Sequence, residues 1–293
     1  MTKGVALPGV IALLSACSGS EQQAEIEPAK PRDFGILPEA TTSHTPHYKI
    51  TSTASDEQTA KVSEAVEALY KSYAEYFGSK GPARRFELVL YKDQAQFRTY
   101  NRSSPWAEAY YRTPRSYAYV SDGDNPYHWM IHEATHQLLR EQSGYKPEKW
   151  INEGIASYFG SSKISGAGLQ SGKPHPAAYP IWWLPSLRLS GNLQNDISSG
   201  KIIPLRQLIT DTGPDISQNV NLYYMHYWSL THFLFHYRDG HYSEQYKELT
   251  ALGGSLEDFE KRLGPVDSIQ SEWHSYLVQQ VHIASNGGGQ IGP

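Results

Sequence analysis

The amino-acid sequence predicts an α+β fold, in which a small N-terminal β-sheet with one long helix precedes a mostly α-helical lobe. Three segments with alternating apolar residues, at 47–53, 85–92 and 115–120, lie in the first half of the chain and are typical of strands. From about residue 126 onward, apolar residues recur instead at helical spacing. Strands that come first and helices that follow favour α+β over a regular alternation of the two.

Length and composition limit the classes of protein to consider. The chain has 293 residues, of which 39% are hydrophobic and 19% charged, as in globular proteins. Its net charge of −4 gives no electrostatic reason to bind nucleic acid, which requires a basic surface. The single cysteine excludes an intramolecular disulfide and a cysteine-rich metal site. No apolar run reaches about 18 residues, the length that predicts a transmembrane helix.

The N-terminus has the pattern of an export signal. The apolar stretch 4–14 follows Lys3, and it is too short for a membrane anchor but suits the core of a signal peptide. It ends in Leu-Ser-Ala-Cys, which resembles a bacterial lipoprotein signal, although a stray cysteine in a plain secretory signal is the alternative. The resemblance implies a signal peptide over 1–16 and a lipid on Cys17 that holds the protein at a membrane. The implied location is the cell envelope, in the outer membrane facing the periplasm or the cell surface.

The remaining organisation follows from local composition. Residues 17–46 are polar and rich in Pro, Glu and Ser, and they predict a flexible tether that starts at the lipidated cysteine. We expect one folded domain over 47–283 and a disordered, glycine-rich tail over 284–293.

The first long helix is predicted from Ser55 to Phe77. Ser55 is a suitable N-cap, Gln58 completes a capping box, and Gly78 ends the helix. A segment rich in Gly, Pro, Ser and Trp over 160–203 predicts a long ordered loop near the site. Further helices are predicted over 93–100, 126–142, 147–159, 205–210, 221–238, 242–252, 256–263 and 268–281.

A zinc-binding motif, His132-Glu133-x-x-His136, lies in the predicted helix 126–142. Residues four apart share one face of a helix, so both imidazoles can bind one cation while Glu133 points toward a bound water. A catalytic zinc needs a third protein ligand and one open position. Glu153 on the next helix is the candidate ligand, and Gly154 beside it is expected to remove side-chain bulk near the metal.

The motif, followed by Trp-Ile-Asn-Glu-Gly-Ile-Ala-Ser-Tyr-Phe at 150–159, resembles the gluzincin metallopeptidases, the thermolysin-like clan. It is most similar to alanyl-type zinc aminopeptidases and to small bacterial peptidase-MA-like domains. The resemblance implies a gluzincin-like zincin domain with one Zn²⁺ per chain, held by His132, His136 and Glu153. It also implies that Glu133 is the general base.

Those families carry a downstream tyrosine that opens a helix and stabilises the oxyanion. Tyr224 matches that position, and Tyr223 is its rival. Two features depart from the families. The strand motif that binds a substrate amine in the aminopeptidases has no counterpart, so aminopeptidase specificity is not implied. Ser157 stands where thermolysin-type enzymes place an aspartate that orients a histidine, so the partners of the zinc ligands stay open.

The implied function is a zinc-dependent peptidase at the cell envelope that acts on a peptide or protein substrate. Its strand 115–120 is a candidate to pair with an extended peptide. An inactive zincin-fold lipoprotein that binds an envelope partner is one alternative, and an amidase acting on a non-protein amide is another.

Several aromatic and histidine side chains allow both a structural and a functional interpretation. His232 and His236 are four residues apart, and packing is favoured over a second metal site. His128 is a candidate to support the zinc ligands from one turn away. Trp182 and Trp183 are expected to anchor the loop more than to contact substrate.

Overall fold

The structure, a computed structural model, describes residues 37, 39–79, 81, 84–104, 107–121, 125–166 and 168–286. The predicted signal peptide, Cys17 and most of the predicted tether lie outside the described residues, as do residues 287–293 of the predicted tail.

The described chain has the mixed α and β architecture that the sequence predicts, with a small sheet first and helices afterwards. The sheet has the spatial order β1-β2-β3-β5-β4, in which β2, β3 and β5 are parallel while β1 and β4 run antiparallel to their neighbours. The three predicted strands form its centre. The strands are β1 (Thr41–His44), β2 (Tyr48–Ser52), β3 (Phe86–Tyr91), β4 (Tyr110–Arg112) and β5 (Arg115–Tyr119).

Neither edge strand, β1 or β4, was predicted from the sequence. Strand β1 lies in the segment predicted as tether, so the sheet begins before His47. Its residues are polar and largely exposed, and they show no apolar alternation from which a strand is predicted. Strand β4 has only three residues, and it pairs with residues 115–117 of β5, whose other side pairs with β3. Both sides of β5 are therefore occupied over 115–117, so the expectation that 115–120 pairs with a peptide was wrong for these three residues, and the sheet edge there is β4.

The helices agree closely with the prediction. Helix α1 (Asp56–Phe77) begins at the Ser55 N-cap, where both hydrogen bonds of the capping box with Gln58 are present, and it ends at Gly78. Its buried face belongs to the same hydrophobic core as the central strands. The others are α2 (Gln94–Tyr100), α3 (His128–Gln137), α4 (Lys149–Gly160), α5 (Leu193–Ser198), α6 (Leu205–Thr210), α7 (Val220–His236), α8 (Ser243–Leu252), α9 (Leu256–Leu263) and α10 (Val266–Ser285).

The predicted loop 160–203 contains regular structure. Strands β6 (Ser162–Ser165) and β7 (Gly168–Pro174) form a hairpin, and a 3₁₀-helix (Ile181–Leu187) and α5 follow. These elements are short and interrupted by Gly and Pro, so no period of 2 or 3.6 residues extends far enough to be recognised. No helix in the described part of the chain combines the length and the apolar composition that crossing a membrane requires.

Two glycines bring α4 close to both of its helical neighbours. A Cβ atom on Gly154 would lie 2.9 Å from the Tyr227 carbonyl oxygen on α7, and closer still to the Thr231 hydroxyl. A Cβ atom on Gly160 would lie 3.2 Å from the His132 Cβ atom on α3. Gly154 therefore serves helix packing against α7, and the expectation that it clears space beside the metal was wrong. Close packing on both sides places α4 between the motif helix and α7.

Candidate metal centre

The three predicted ligands come together at the contact of α3 with α4. The Nε2 atoms of His132 and His136 are 3.2 Å apart. The Glu153 Oε2 atom lies 3.4 Å from the first and 3.6 Å from the second. In a tetrahedral zinc site with bonds of about 2.0–2.1 Å, neighbouring ligand atoms are about 3.3–3.4 Å apart. The triangle therefore has the size that one tetrahedral ion requires, and among the described residues it is the one such cluster.

The charges in this triangle favour a bound cation. Burial acts to raise the pKa of Glu153, but His136 and His132 hold it well below its usual range, so the carboxylate stays ionised. Burial acts to lower the pKa of His136, but the Glu153 carboxylate raises it to about 9. The site thus prefers a positive charge beside Glu153, which a proton supplies in the absence of a metal ion.

Glu133 lies beside the triangle and is held by the sheet. The α3 backbone is tied to β5 because the Ser116 hydroxyl donates to the Glu133 carbonyl oxygen at 3.1 Å. Glu133 as a whole residue is only 8% exposed. Burial raises the pKa of this carboxyl group, which is the direction expected for a group that exchanges protons near neutral pH.

Tyr224 and its rival Tyr223 have different surroundings. The Tyr224 ring lies 6.2 Å from the His132 ring, between centroids, and Tyr224 lines the same cleft as the triangle. Burial, followed by the Glu153 charge, raises the pKa of Tyr224 well above 10, so its hydroxyl remains a proton donor. Tyr223 instead donates its hydroxyl hydrogen bond to the Pro214 carbonyl oxygen at 2.7 Å. Of the two candidates, only Tyr224 has access to the cleft.

The candidate supporting residues do not contact the triangle by hydrogen bonds. The Nδ1 atom of His128 bonds to the Asn125 carbonyl oxygen at 2.8 Å, at the start of α3. The Ser157 hydroxyl is buried and has no hydrogen-bond partner among the described residues, so it does not act in place of the aspartate of thermolysin-type enzymes.

The histidine pair on α7 is bonded to protein groups. The imidazole of His232 is bonded on both sides, to the Tyr276 hydroxyl at 2.8 Å and to the Gly172 carbonyl oxygen at 3.0 Å. The Nε2 atom of His236 bonds to the Tyr158 hydroxyl at 2.7 Å. These contacts occupy three of the four ring nitrogens of the pair, which favours the structural interpretation.

A cleft of about 530 Å³ opens beside the triangle and includes Glu133 and Tyr224 in its wall. The edge strand β4 forms part of the same wall, so an extended chain in the cleft has a strand edge within reach. The other residues that line it are Ser103, Ala107, Ala109, Tyr110, Tyr111, Thr113, Leu139, Arg140, Tyr145, Lys146, Pro147 and Asn152.

Sequence reasoning missed several neighbours of the site. Tyr111 lines the cleft from β4, but nothing in a three-residue strand indicates that position. Tyr179 lies 5.4 Å from Tyr224 and 5.8 Å from Trp182, between ring centroids. Trp182 and Trp183 are 44% and 40% exposed, so neither is a core residue, and their role as loop anchors stays a prediction. Arg140 was also missed, although its spacing of four residues from His136 was a usable signal.

No family model matches this chain, and no curated protein sequence is significantly similar to it.

Proposed function

We propose that the protein is a zinc-dependent peptidase of the gluzincin type, anchored at the bacterial cell envelope through a lipid on Cys17. The observation that carries the proposal is the triangle of His132, His136 and Glu153, with Glu133 and a cleft beside it. The anchor and the location rest on the sequence pattern alone, because Cys17 lies outside the described residues.

The three ligands fit zinc by chemistry as well as by distance. Two imidazoles and one carboxylate leave the fourth tetrahedral position for water or substrate, as catalytic zinc sites require. A zinc ion held there supplies Lewis-acid activation of water and of the substrate carbonyl.

Glu133 is placed to move the proton. Its carboxyl group lines the cleft beside the triangle, and burial raises its pKa, which allows it to accept a proton from the attacking water and to pass it to the leaving amine. Tyr224 stays protonated because burial raises its pKa, so it donates a hydrogen bond to the negative charge that develops on the carbonyl oxygen. The edge of β4 is available to pair with the backbone of an extended peptide.

The test compares zinc content with cleavage of a denatured protein, in the natural chain and in Glu133→Gln. We expect one zinc per chain in both proteins, and a fall in kcat/KM of about 10²- to 10⁴-fold in the variant, because the base is lost while the ligands remain. The matched control is Glu64→Gln on the exposed face of α1, which should leave both quantities unchanged. Zinc without cleavage of any peptide would contradict the peptidase and favour an amidase or a binding protein. Absence of zinc would contradict the site.

A further inference from the structure

Two cationic side chains share the cleft with the candidate metal centre. Arg140 and Lys146 are both exposed and line its wall. Neither forms an ion pair with any residue that the structure describes. Their charges are therefore available to a ligand in the cleft.

Glu141, the acidic residue next to Arg140 in the chain, accepts its hydrogen bonds from other side chains. The Glu141 carboxylate accepts hydrogen bonds from the Tyr111 hydroxyl at 2.9 Å and from the Gln137 amide at 3.1 Å, and it pairs with Arg84 at 3.3 Å. Because these contacts hold Glu141, it leaves the adjacent guanidinium without a counter-charge.

The backbone around Lys146 is held in place on both sides. The Tyr145 N–H donates to the Leu139 carbonyl oxygen at 2.8 Å, and the Glu148 N–H donates to the Gly253 carbonyl oxygen at 2.7 Å. Lys146 therefore projects from a fixed part of the α3–α4 connection. Arg140 lies one turn beyond the ligand His136.

The distribution of charge within the cleft is uneven. Both acidic side chains in its described lining, Glu133 and Glu153, lie at the metal centre. Arg140 and Lys146 add two positive charges to the wall of the cleft, although the whole protein carries a net charge of −4. A cationic region within a cleft attracts and orients an anionic group of a ligand.

We propose that the cleft selects peptides bearing a carboxylate, which Arg140 and Lys146 bind while the chain lies across the metal centre. The guanidinium presents a planar fork that matches a carboxylate, and the ammonium adds a point charge. The carboxylate is an Asp or Glu side chain or the C-terminus of the peptide. This inference rests on the proposed function, since it specifies the substrate of that same site.

The test measures binding, so that it is independent of turnover. Zinc-loaded Glu133→Gln protein is titrated with decapeptides in which one Glu is the only charged side chain and stands at a different position in each peptide. A matched series carries Gln at the same positions. Each peptide is made with a free and with an amidated C-terminus, which separates the two sources of the carboxylate. We expect at least one Glu peptide, or the free-acid form, to bind about 10-fold more tightly than its neutral counterpart.

Variants then assign the preference to the two cations. Arg140→Gln with Lys146→Gln, in the Glu133→Gln background, should reduce the preference to about twofold or less, and added salt should weaken it in the parent protein. Lys173→Gln is the matched control, because Lys173 is exposed on β7 and lies outside the lining of the cleft. Its preference should equal that of the parent.

Equal affinity for acidic and neutral peptides would overturn the inference, as would a preference that survives the double variant. Either result leaves the proposed function standing if zinc is bound and the natural chain cleaves peptides. An acid preference that the double variant abolishes supports the inference even if no peptide is cleaved, in which case the proposed function alone fails.

Discussion

Helices α3 and α7 each carry two histidines four residues apart, His132 and His136 on α3 and His232 and His236 on α7. The first pair faces a carboxylate from a neighbouring helix and a cleft. The second pair faces neutral hydroxyl and carbonyl groups in the protein interior.

These surroundings shift the pKa values in opposite directions. The pKa of His136 rises to about 9 because the Glu153 charge outweighs burial. Burial lowers the pKa of His232 to about 3 and that of His236 to about 4. Two histidines at i and i+4 are therefore not sufficient for a metal site, because the carboxylate ligand and the opening to a cleft must come from other elements.

Removing the Glu153 carboxylate should leave the α3 histidine pair, like the α7 pair, without a third ligand. This is the largest effect that we expect. In Glu153→Ala, zinc affinity should fall by at least about 100-fold and peptidase activity should fall to background, because a charged ligand is lost. Zinc content after dialysis and cleavage of denatured protein measure both effects. His236→Gln is the control and should retain zinc, and a loss of zinc in that variant would place the metal on α7.

The tyrosines beside the two pairs provide the next test. Tyr224→Phe should lower kcat by about 10²- to 10³-fold, since it removes a donor to the oxyanion, while zinc is retained. Tyr158→Phe removes the hydrogen bonds to His236 and to Tyr76, both 2.7 Å long. It should lower the free energy of unfolding by about 1–3 kcal/mol with kcat unchanged. Steady-state kinetics and urea unfolding of both variants measure these effects, and equal kcat in the two would contradict the role of Tyr224.

At acid pH, the buried histidines of α7 should lower the free energy of unfolding of the protein. The folded pKa of His232, about 3, lies below the ordinary value near 6.5, so the unfolded chain binds more protons between these values. Its contribution is present in full above about pH 6.5 and is lost as the pH falls toward 3. Between pH 6.5 and 4.5, this residue alone should lower the free energy of unfolding by about 2–3 kcal/mol.

Urea unfolding of zinc-free protein across that range measures the acid effect. His232→Gln should lose stability less steeply than the natural chain as the pH falls, whatever its stability at pH 7. His282→Gln, on the exposed end of α10, is the control and should match the natural chain. Identical slopes for His232→Gln and the natural chain would show that His232 is not buried in its neutral form.

Elements with long periodic patterns could be predicted from the sequence, and the short ones could not. Helix α1 was predicted with its cap and its end because Ser55, Gln58 and Gly78 act through local hydrogen bonds and backbone conformation. Strand β4 was missed because three residues carry no measurable period, although this strand forms the sheet edge at the cleft.

The candidate ligands show the same division. The spacing of His132 and His136 is a property of one helix, and it is visible in the chain. The chain alone identifies the side chains whose chemistry suits zinc, and the motif around Glu153 identifies the third candidate ligand. That Tyr224 and not Tyr223 lines the cleft depends on the rotation of α7 against α4.

Helix packing determines which of two similar histidine pairs meets a carboxylate, and which cations in the cleft have no ionic partner among the described residues. Gly154 and Gly160 let α4 approach both α3 and α7, and this packing delivers Glu153 to one pair only. Local hydrogen bonds and side-chain spacing act over a few residues and can be read along the chain. Charge pairing and access to solvent depend on contacts between distant segments, so they are defined only when the helices have packed.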